Sequence, residues 1–82
     1  MDNLLELISK YYNVDQEAIL NTCTKTVREA RSVLIYISNK YLNKKVTEMG
    51  RLLGITQEAA SIARGKGREI FLRDRLEEKL LI

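Results

Sequence analysis

Residues 46–65 read VTEMGRLLGITQEAASIARG, and their pattern predicts a helix-turn-helix, in which two short helices pack across a tight turn. Thr47 is a suitable N-cap for the first helix, and Gly54 stands where a residue with positive φ would end it. Thr56 is the expected N-cap of the second helix. The apolar side of the first helix consists of Met49, Leu52 and Leu53. These start and stop signals have the spacing that the motif requires.

Small residues at the predicted contact allow the two helices to lie close together. Ala60 and Ala63 form a narrow inner face on the second helix, and Gly50 permits the same close approach from the first. Ile55 is expected to fill the corner between the helices. The second helix, from Thr56 to about Arg64, then directs its other residues toward a DNA major groove. We expect base contacts from Thr56, Gln57, Glu58, Ser61 and Arg64.

The composition indicates one all-α domain spanning residues 1–82. Hydrophobic residues make up 45% and charged residues 30% of the chain, which is typical of a folded domain near the lower size limit. The lack of proline and the presence of only four glycines favour a compact multi-helix fold over a turn-rich β structure. The longest apolar run, residues 33–37, is far too short to span a membrane, and no signal peptide is expected. We therefore expect a cytoplasmic location, at the nucleoid.

Positive charge is concentrated around the predicted helix-turn-helix. The net charge is only +3, but residues 40–75 contain nine basic residues against four acidic ones. The rest of the chain contains five basic and seven acidic residues. A basic face of this kind is typical of a domain whose partner is a polyanion, here double-stranded DNA.

Two helices and a loop are predicted ahead of the motif. Apolar residues at helical spacing predict a first helix that starts near Asp2 or Asn3 and ends at Asn13. Asp15 can cap a short second helix. Residues 21–25 lack periodicity and are rich in turn-forming residues, so they are predicted to form a loop.

A central helix about 16 residues long is expected to start at Thr24 or Thr26. Its apolar stripe consists of Val27, Ala30, Leu34, Ile37 and Tyr41. Tyr12 and Tyr41 lie on apolar stripes and are predicted to be core residues. Tyr36 lies off the main stripe, which makes it the tyrosine best suited to an exposed role such as stacking on a base.

The C-terminal part of the chain leaves two arrangements open. Residues 43–45 are predicted to form a turn before the motif. Gly65 and Gly67 either separate the recognition helix from a last helix or only weaken one continuous helix. The last helix would contain Ile70, Phe71, Leu72, Leu76, Leu80 and Leu81.

Catalytic and metal sites are not expected in these residues. The chain has no histidine and no glycine-rich phosphate loop, so we predict no enzyme activity, no metal, no cofactor and no small-molecule substrate. Cys23 is the only cysteine and lacks a neighbour that would activate its thiol, so it is interpreted as a small loop residue.

Four motifs along the chain resemble those of a known family. They are SKYYNV at residues 9–14, AIL at 18–20, TVREAR at 26–31 and VTEMGRLLG at 46–54. From residue 4 to residue 70, the chain resembles the C-terminal DNA-binding domain, domain IV, of the bacterial replication initiator DnaA. The resemblance implies an all-helical, Trp-repressor-like fold with a helix-turn-helix, and an ATPase or nuclease portion would lie outside these residues.

The resemblance also implies roles for individual residues. Arg31 matches the family's arginine at the start of the long helix, and Lys45 and Thr47 stand where the family contacts phosphate. The family's base-contacting segment, Asp-His-Thr-Thr-Val, is replaced here by TQEAA at residues 56–60, which implies the same role on a different DNA sequence. The run at residues 54–65 is also similar to the helix-turn-helix appended to REP-associated tyrosine transposases.

We therefore expect a sequence-specific, double-stranded DNA-binding domain of a transposase or a replication-initiator-like protein. The residues expected to contact the DNA backbone are Lys25, Arg28, Arg31, Lys45, Thr47, Lys66 and Arg68. The alternative is a protein-interaction module that has kept the fold without DNA binding. In that case the apolar residues 80–82 would contact a partner or form a homodimer.

Overall fold

The computed structural model describes residues 2–21 and 24–80, and every regular element among them is an α-helix. The helices are α1 Asp2–Tyr12, α2 Gln16–Asn21, α3 Lys25–Tyr41, α4 Val46–Leu53, α5 Gln57–Arg73 and α6 Leu76–Leu80. The predicted all-α class is confirmed, and α4 and α5 form the predicted helix-turn-helix.

α3 and α5 form the centre of the fold, and their mutual contact is the most extensive in the molecule. A Cβ atom at Gly67 of α5 would overlap the backbone carbonyl of Ser32 in α3, so only glycine allows this approach. α1, α2 and α4 pack against α3, while α6 closes against α1 and α5. The core includes Leu4, Ile8, Ile19, Ala30, Val33, Leu34, Ile35, Ile37, Met49, Leu53, Ala60, Ile70, Phe71 and Leu76.

The turn between α4 and α5 has the geometry that the sequence predicts. Gly54 has φ of +70°, and its N–H donates to the Arg51 carbonyl at 3.2 Å. The Ile55 N–H donates to the Gly50 carbonyl at 2.9 Å, which completes a Schellman motif. A Cβ at Gly50 would lie 3.3 Å from the Cβ of Ala60. The predicted close approach of the two helices is confirmed.

The two helices of the motif begin differently. The Thr56 hydroxyl accepts a hydrogen bond from the Ala59 N–H at 3.1 Å, which confirms it as the N-cap of α5. The prediction for α4 is wrong, because the helix begins at Val46 and its N-cap is Lys45, without a side-chain cap. Lys45 is the last residue with an extended backbone, so Thr47 already lies inside the first turn.

The turns that end α1 and α3 each use an asparagine with positive φ. Asn13 and Asn43 both have φ of 55°, a conformation that asparagine tolerates better than most residues. The end of α1 at Asn13 and the turn at residues 43–45 are therefore confirmed. α2 starts directly after Asp15, as expected.

The loop predicted for residues 21–25 is too long. Asn21 is the last residue of α2, and Lys25 is already the first residue of α3. The Thr24 hydroxyl accepts from the Val27 N–H at 3.3 Å, so this capping bond sets the start of α3. Residues 22 and 23, including the cysteine interpreted as a loop residue, lie outside the described residues.

α5 is one continuous helix through Gly65 and Gly67, so the recognition helix extends to Arg73 rather than ending near Arg64. The tight contact of Gly67 with α3 favours continuation of the helix. Of the two arrangements that the sequence left open, the continuous helix is therefore the one observed; only the short α6 follows it, and residue 81 lies outside the described residues. Leu72, one of the apolar residues from which the last helix was predicted, is 62% exposed.

Two tyrosines of α3 exchange their predicted environments. Tyr36 is only 4% exposed and packs on Phe71 with ring centroids 5.2 Å apart, so the predicted exposed role is wrong. Tyr41 is 41% exposed although it was expected in the core. α3 is covered by other helices on several sides, and its whole central segment from residue 32 to residue 38 is buried. Leu52 of α4 is likewise exposed, at 52%.

Candidate nucleic-acid interface

The N-terminal half of α5 carries the residues predicted to contact bases. Thr56, Gln57, Glu58, Ser61 and Arg64 are all exposed, as expected for a helix available to a groove. The Thr56 hydroxyl already accepts the capping bond from Ala59. We call the row formed by Glu58, Ser61, Ile62 and Gly65 the α5 ridge, because all four are exposed on the side of the helix opposite Ala60.

A groove of about 830 Å³ lies on one side of this ridge, between α5 and the N-terminal half of α3. We call it the α3–α5 groove. Its basic lining residues are Lys25, Arg28, Arg31, Lys66 and Arg73, and its acidic ones are Glu29 and Glu69. Its apolar lining residues are Ile55, Ala59, Ile62, Ala63 and Ile70. Four of the seven residues predicted to contact the DNA backbone are therefore brought together here.

Not every cation of the groove is equally available. The Arg31 Nε donates to the Ile19 carbonyl at 2.5 Å, so this half-buried guanidinium also ties α3 to α2. Arg73 is bidentate with Asp74, with Nε to Oδ1 at 3.0 Å and Nη2 to Oδ2 at 3.1 Å. This pairing raises the pKa of Arg73 and lowers that of Asp74. Lys25 and Lys66 are exposed at opposite walls of the groove.

Basic residues also lie on the other side of the ridge. Arg64 and Arg68 are four residues apart on one side of α5, and Lys40 at the end of α3 lies close enough to Arg68 for their charges to interact. We call these three residues the Arg64 flank. A hydrogen bond with the Tyr36 side chain raises the pKa of Lys40, and its Nζ lies 5.7 Å from the ring centroid of Tyr36. Lys40 therefore adds a positive charge beside Arg68 on this side of the ridge.

Arg64 is directed toward α3 rather than straight outward. Its Nη1 donates to the Asn39 Oδ1 at 3.0 Å, and the Asn39 Nδ2 donates in turn to the Lys44 carbonyl at 3.0 Å. This short chain of hydrogen bonds connects the middle of α5 to the turn ahead of α4. Lys45 is exposed and Thr47 half-buried at the start of α4, directly after that turn.

A helix with cations on both sides of an exposed ridge matches the shape of a major groove, which has a phosphate backbone on either side. A model of the family described as the bacterial dnaA protein helix-turn-helix matches residues 1–63 of the chain. The chain belongs to this family. No curated protein and no solved structure shows a significant match to it.

Membership of the DnaA helix-turn-helix family indicates that the domain binds DNA. The family match ends at residue 63, inside α5, and therefore includes the turn and the first two turns of the recognition helix. The C-terminal part of α5, with Lys66 and Arg68, lies beyond the match. Within the described ranges, no helix is long and apolar enough to cross a bilayer.

Sequence reasoning missed Ala59 and Ile62, which lie beside the predicted base-contacting residues. Ile62 is 66% exposed, and both residues line the α3–α5 groove. The signal was present in the sequence. Once Ala60 is assigned to the inner face, a rotation of about 100° per residue places Ile62 on the outer face of the helix. An apolar side chain on the outer face of a recognition helix is a candidate for base contact.

Proposed function

We propose that this domain binds double-stranded DNA sequence-specifically, with the N-terminal half of α5 in the major groove. The observation that carries the proposal is the position of the α5 ridge between the α3–α5 groove and the Arg64 flank. In this arrangement Gln57, Glu58 and Ser61 face base edges, while Lys66 and Arg68 extend toward opposite phosphate backbones.

The other residues predicted to contact phosphate extend the DNA-binding surface beyond α5, along the DNA backbone. Lys25 and Arg28 stand at the N-terminal end of α3, on the wall of the groove that faces α5. Lys45 and Thr47 approach the backbone from the start of α4. Arg31, whose Nε donates a hydrogen bond to the Ile19 carbonyl in α2, adds positive potential to the same surface.

We infer that the domain is the DNA-recognition part of a transposase or a replication-initiator-like protein. Its membership of the bacterial DnaA helix-turn-helix family supports an initiator-like DNA-binding role and a location in the bacterial cytoplasm at the nucleoid, while the similarity of residues 54–65 to the transposase-appended motif supports the transposase alternative. The run at residues 56–60 differs from the family's base-contacting segment, so the recognised DNA sequence differs as well.

The proposal is tested by fluorescence anisotropy with a random pool of short duplexes over a series of salt concentrations, followed by selection and sequencing. If about five phosphates are neutralised, log K falls with log salt at a slope of about −4 to −5. A common motif among the selected duplexes supports sequence-specific recognition. Absence of binding at low salt contradicts the proposal and favours the interaction-module alternative.

A matched pair of variants identifies the surface that binds. Lys66→Gln removes a cation of the α3–α5 groove and should reduce the steepness of the salt slope by about 0.9. Lys10→Gln removes the same charge from α1, which does not pack against α4 or α5 in the described part of the chain. Equal effects of the two substitutions would contradict the assigned surface, because they would indicate attraction by net charge alone.

A further inference from the structure

Among the side chains whose exposure the structure describes, Ile62 is the most exposed large hydrophobic one, at 66%. It lies in the middle of the α5 ridge, one helical turn after Glu58 and one turn before Lys66, both of which are exposed. Farther along the same helix, Ile70 and Phe71 are 7% and 3% exposed. The packing of α5 against the core therefore does not depend on Ile62.

The surroundings of Ile62 restrict what it can contact. On one side lies the α3–α5 groove with its cations, and on the other the ridge continues to Ser61 and Gly65. Ala59, three residues earlier, is also exposed and adds only a methyl group to the surface. Along the ridge, Ile62 lies between the exposed charged side chains of Glu58 and Lys66, and toward α3 it continues into the apolar lining of the groove. On the ridge itself, a single large apolar side chain between two charged ones matches a small apolar group within a polar, anionic ligand.

The major groove of DNA presents one such group, the 5-methyl of thymine. We propose that Ile62 contacts the 5-methyl group of a thymine, and that this thymine belongs to the sequence that the domain recognises. The proposal rests on the proposed function, since it requires α5 to lie in the major groove. Glu58, one turn earlier on the ridge, then faces a neighbouring base pair, where its carboxylate accepts from a cytosine amino group.

Deoxyuridine provides a direct test, because it differs from thymidine only in lacking the 5-methyl group and keeps the same hydrogen-bonding edge. In the duplex obtained by selection, each thymine is replaced in turn by deoxyuridine, and the dissociation constant is measured by fluorescence anisotropy. We expect about fourfold weaker binding at one thymine, the ratio that corresponds to one buried methyl group. The other thymines should show no change.

Two variants of the protein assign the effect to Ile62. Ile62→Ala should bind the thymine and deoxyuridine duplexes equally, because the methyl group has lost its partner. Leu72→Ala is the matched control, since Leu72 is 62% exposed on the same helix but beyond the ridge. It should keep the fourfold difference.

The outcomes separate this inference from the proposed function. Salt-dependent duplex binding without any thymine-to-deoxyuridine effect, or with an effect that persists in Ile62→Ala, overturns the role of Ile62 and leaves DNA binding intact. Selection that enriches no thymine opposite α5 overturns it as well. No binding of any duplex at low salt overturns both proposals.

Discussion

The backbone of Gly67 in α5 lies directly against the carbonyl group of Ser32 in α3, with no space for a side chain between them. A Cβ at residue 67 would overlap that carbonyl and would lie 2.9 Å from the Cβ of Tyr36. Two of the three nearest atoms, the carbonyl oxygen and carbonyl carbon of Ser32, belong to the backbone of α3. They can move away only if the two helices separate. The contact between the two central helices, and with it the orientation of the recognition helix, therefore depends on this glycine.

Gly67→Ala is expected to destabilise the domain by about 2 kcal/mol or more, because overpacking of a tight contact has a cost of this order. Gly65→Ala provides the opposite case. Gly65 is exposed in the same helix, and a Cβ there meets no atom within 4 Å. Alanine should stabilise the domain by roughly 0.5–1 kcal/mol through helix propensity.

Urea unfolding followed by circular dichroism measures both variants against the wild-type chain. The expected result is a lower midpoint for Gly67→Ala and a higher one for Gly65→Ala. Changes of the same sign would show that residue 67 does not form the close contact between α3 and α5.

The glycine that ends α4 and the two glycines within α5 illustrate which helix boundaries the sequence can and cannot predict. The end of α4 was predictable, because Gly54 terminates a helix through local backbone geometry that depends on adjacent residues. The continuation of α5 was not, because Gly65 and Gly67 are chemically identical and only the tertiary contact with α3 distinguishes them. A local signal thus predicted where α4 ends, whereas only packing against α3 determines that α5 continues through its glycines.

The candidate site shows the same division. Exposure of Gln57 and Glu58 followed from their position after a capped helix start. The direction of Arg64 did not, because its partner Asn39 lies 25 residues away in sequence. The burial of Tyr36 was missed for a related reason: helices packed on several sides of α3 bury residues that a single apolar stripe would leave exposed.

Lys45→Ser is expected to stabilise the domain and to weaken its binding to DNA. Lys45 has the extended backbone of an N-cap, with φ of −71° and ψ of 143°, but its side chain makes no capping bond. Serine can accept from the free N–H groups of α4 and should add about 1 kcal/mol to the free energy of unfolding. Loss of the proposed phosphate contact should make the salt slope shallower by about 0.9.

Lys44→Ser is the control for this prediction, since it removes the same charge one residue before the cap. It should give no gain in the urea midpoint. If Lys45→Ser is no more stable than Lys44→Ser, the N-cap of α4 has been assigned to the wrong residue.

Tyr12→Phe is expected to leave stability near neutral pH unchanged or to increase it slightly. The Tyr12 hydroxyl is buried without a hydrogen-bond partner among the described residues, so its removal eliminates an unsatisfied polar group. Burial, with a smaller contribution from the negative charge of Glu29, raises the pKa of Tyr12 to about 12.

The raised pKa of Tyr12 also predicts a pH dependence. The folded state keeps the phenol protonated above the ordinary pKa of about 10, while the unfolded chain releases the proton. The contribution of Tyr12 to stability is therefore complete below pH 10 and falls as pH rises from about 10 to about 12. Urea midpoints should decline more steeply over this range in the wild type than in Tyr12→Phe. Parallel declines would contradict the raised pKa.

Arg64 and Asn39 are expected to be coupled energetically although they belong to different helices. The Arg64 Nη1 donates to the Asn39 Oδ1 at 3.0 Å, and Asn39 donates to the Lys44 carbonyl. In a double-mutant cycle with Arg64→Ala and Asn39→Ala, we expect a coupling free energy of about 0.5 kcal/mol, at the low end for a hydrogen bond because the pair is exposed. The Arg68→Ala and Asn39→Ala cycle is the control and should give no coupling. A coupling near zero in the first cycle would mean that the Arg64 side chain can turn toward the bases without losing a stabilising contact. The expected value means that DNA must compete with Asn39 for the guanidinium group of Arg64.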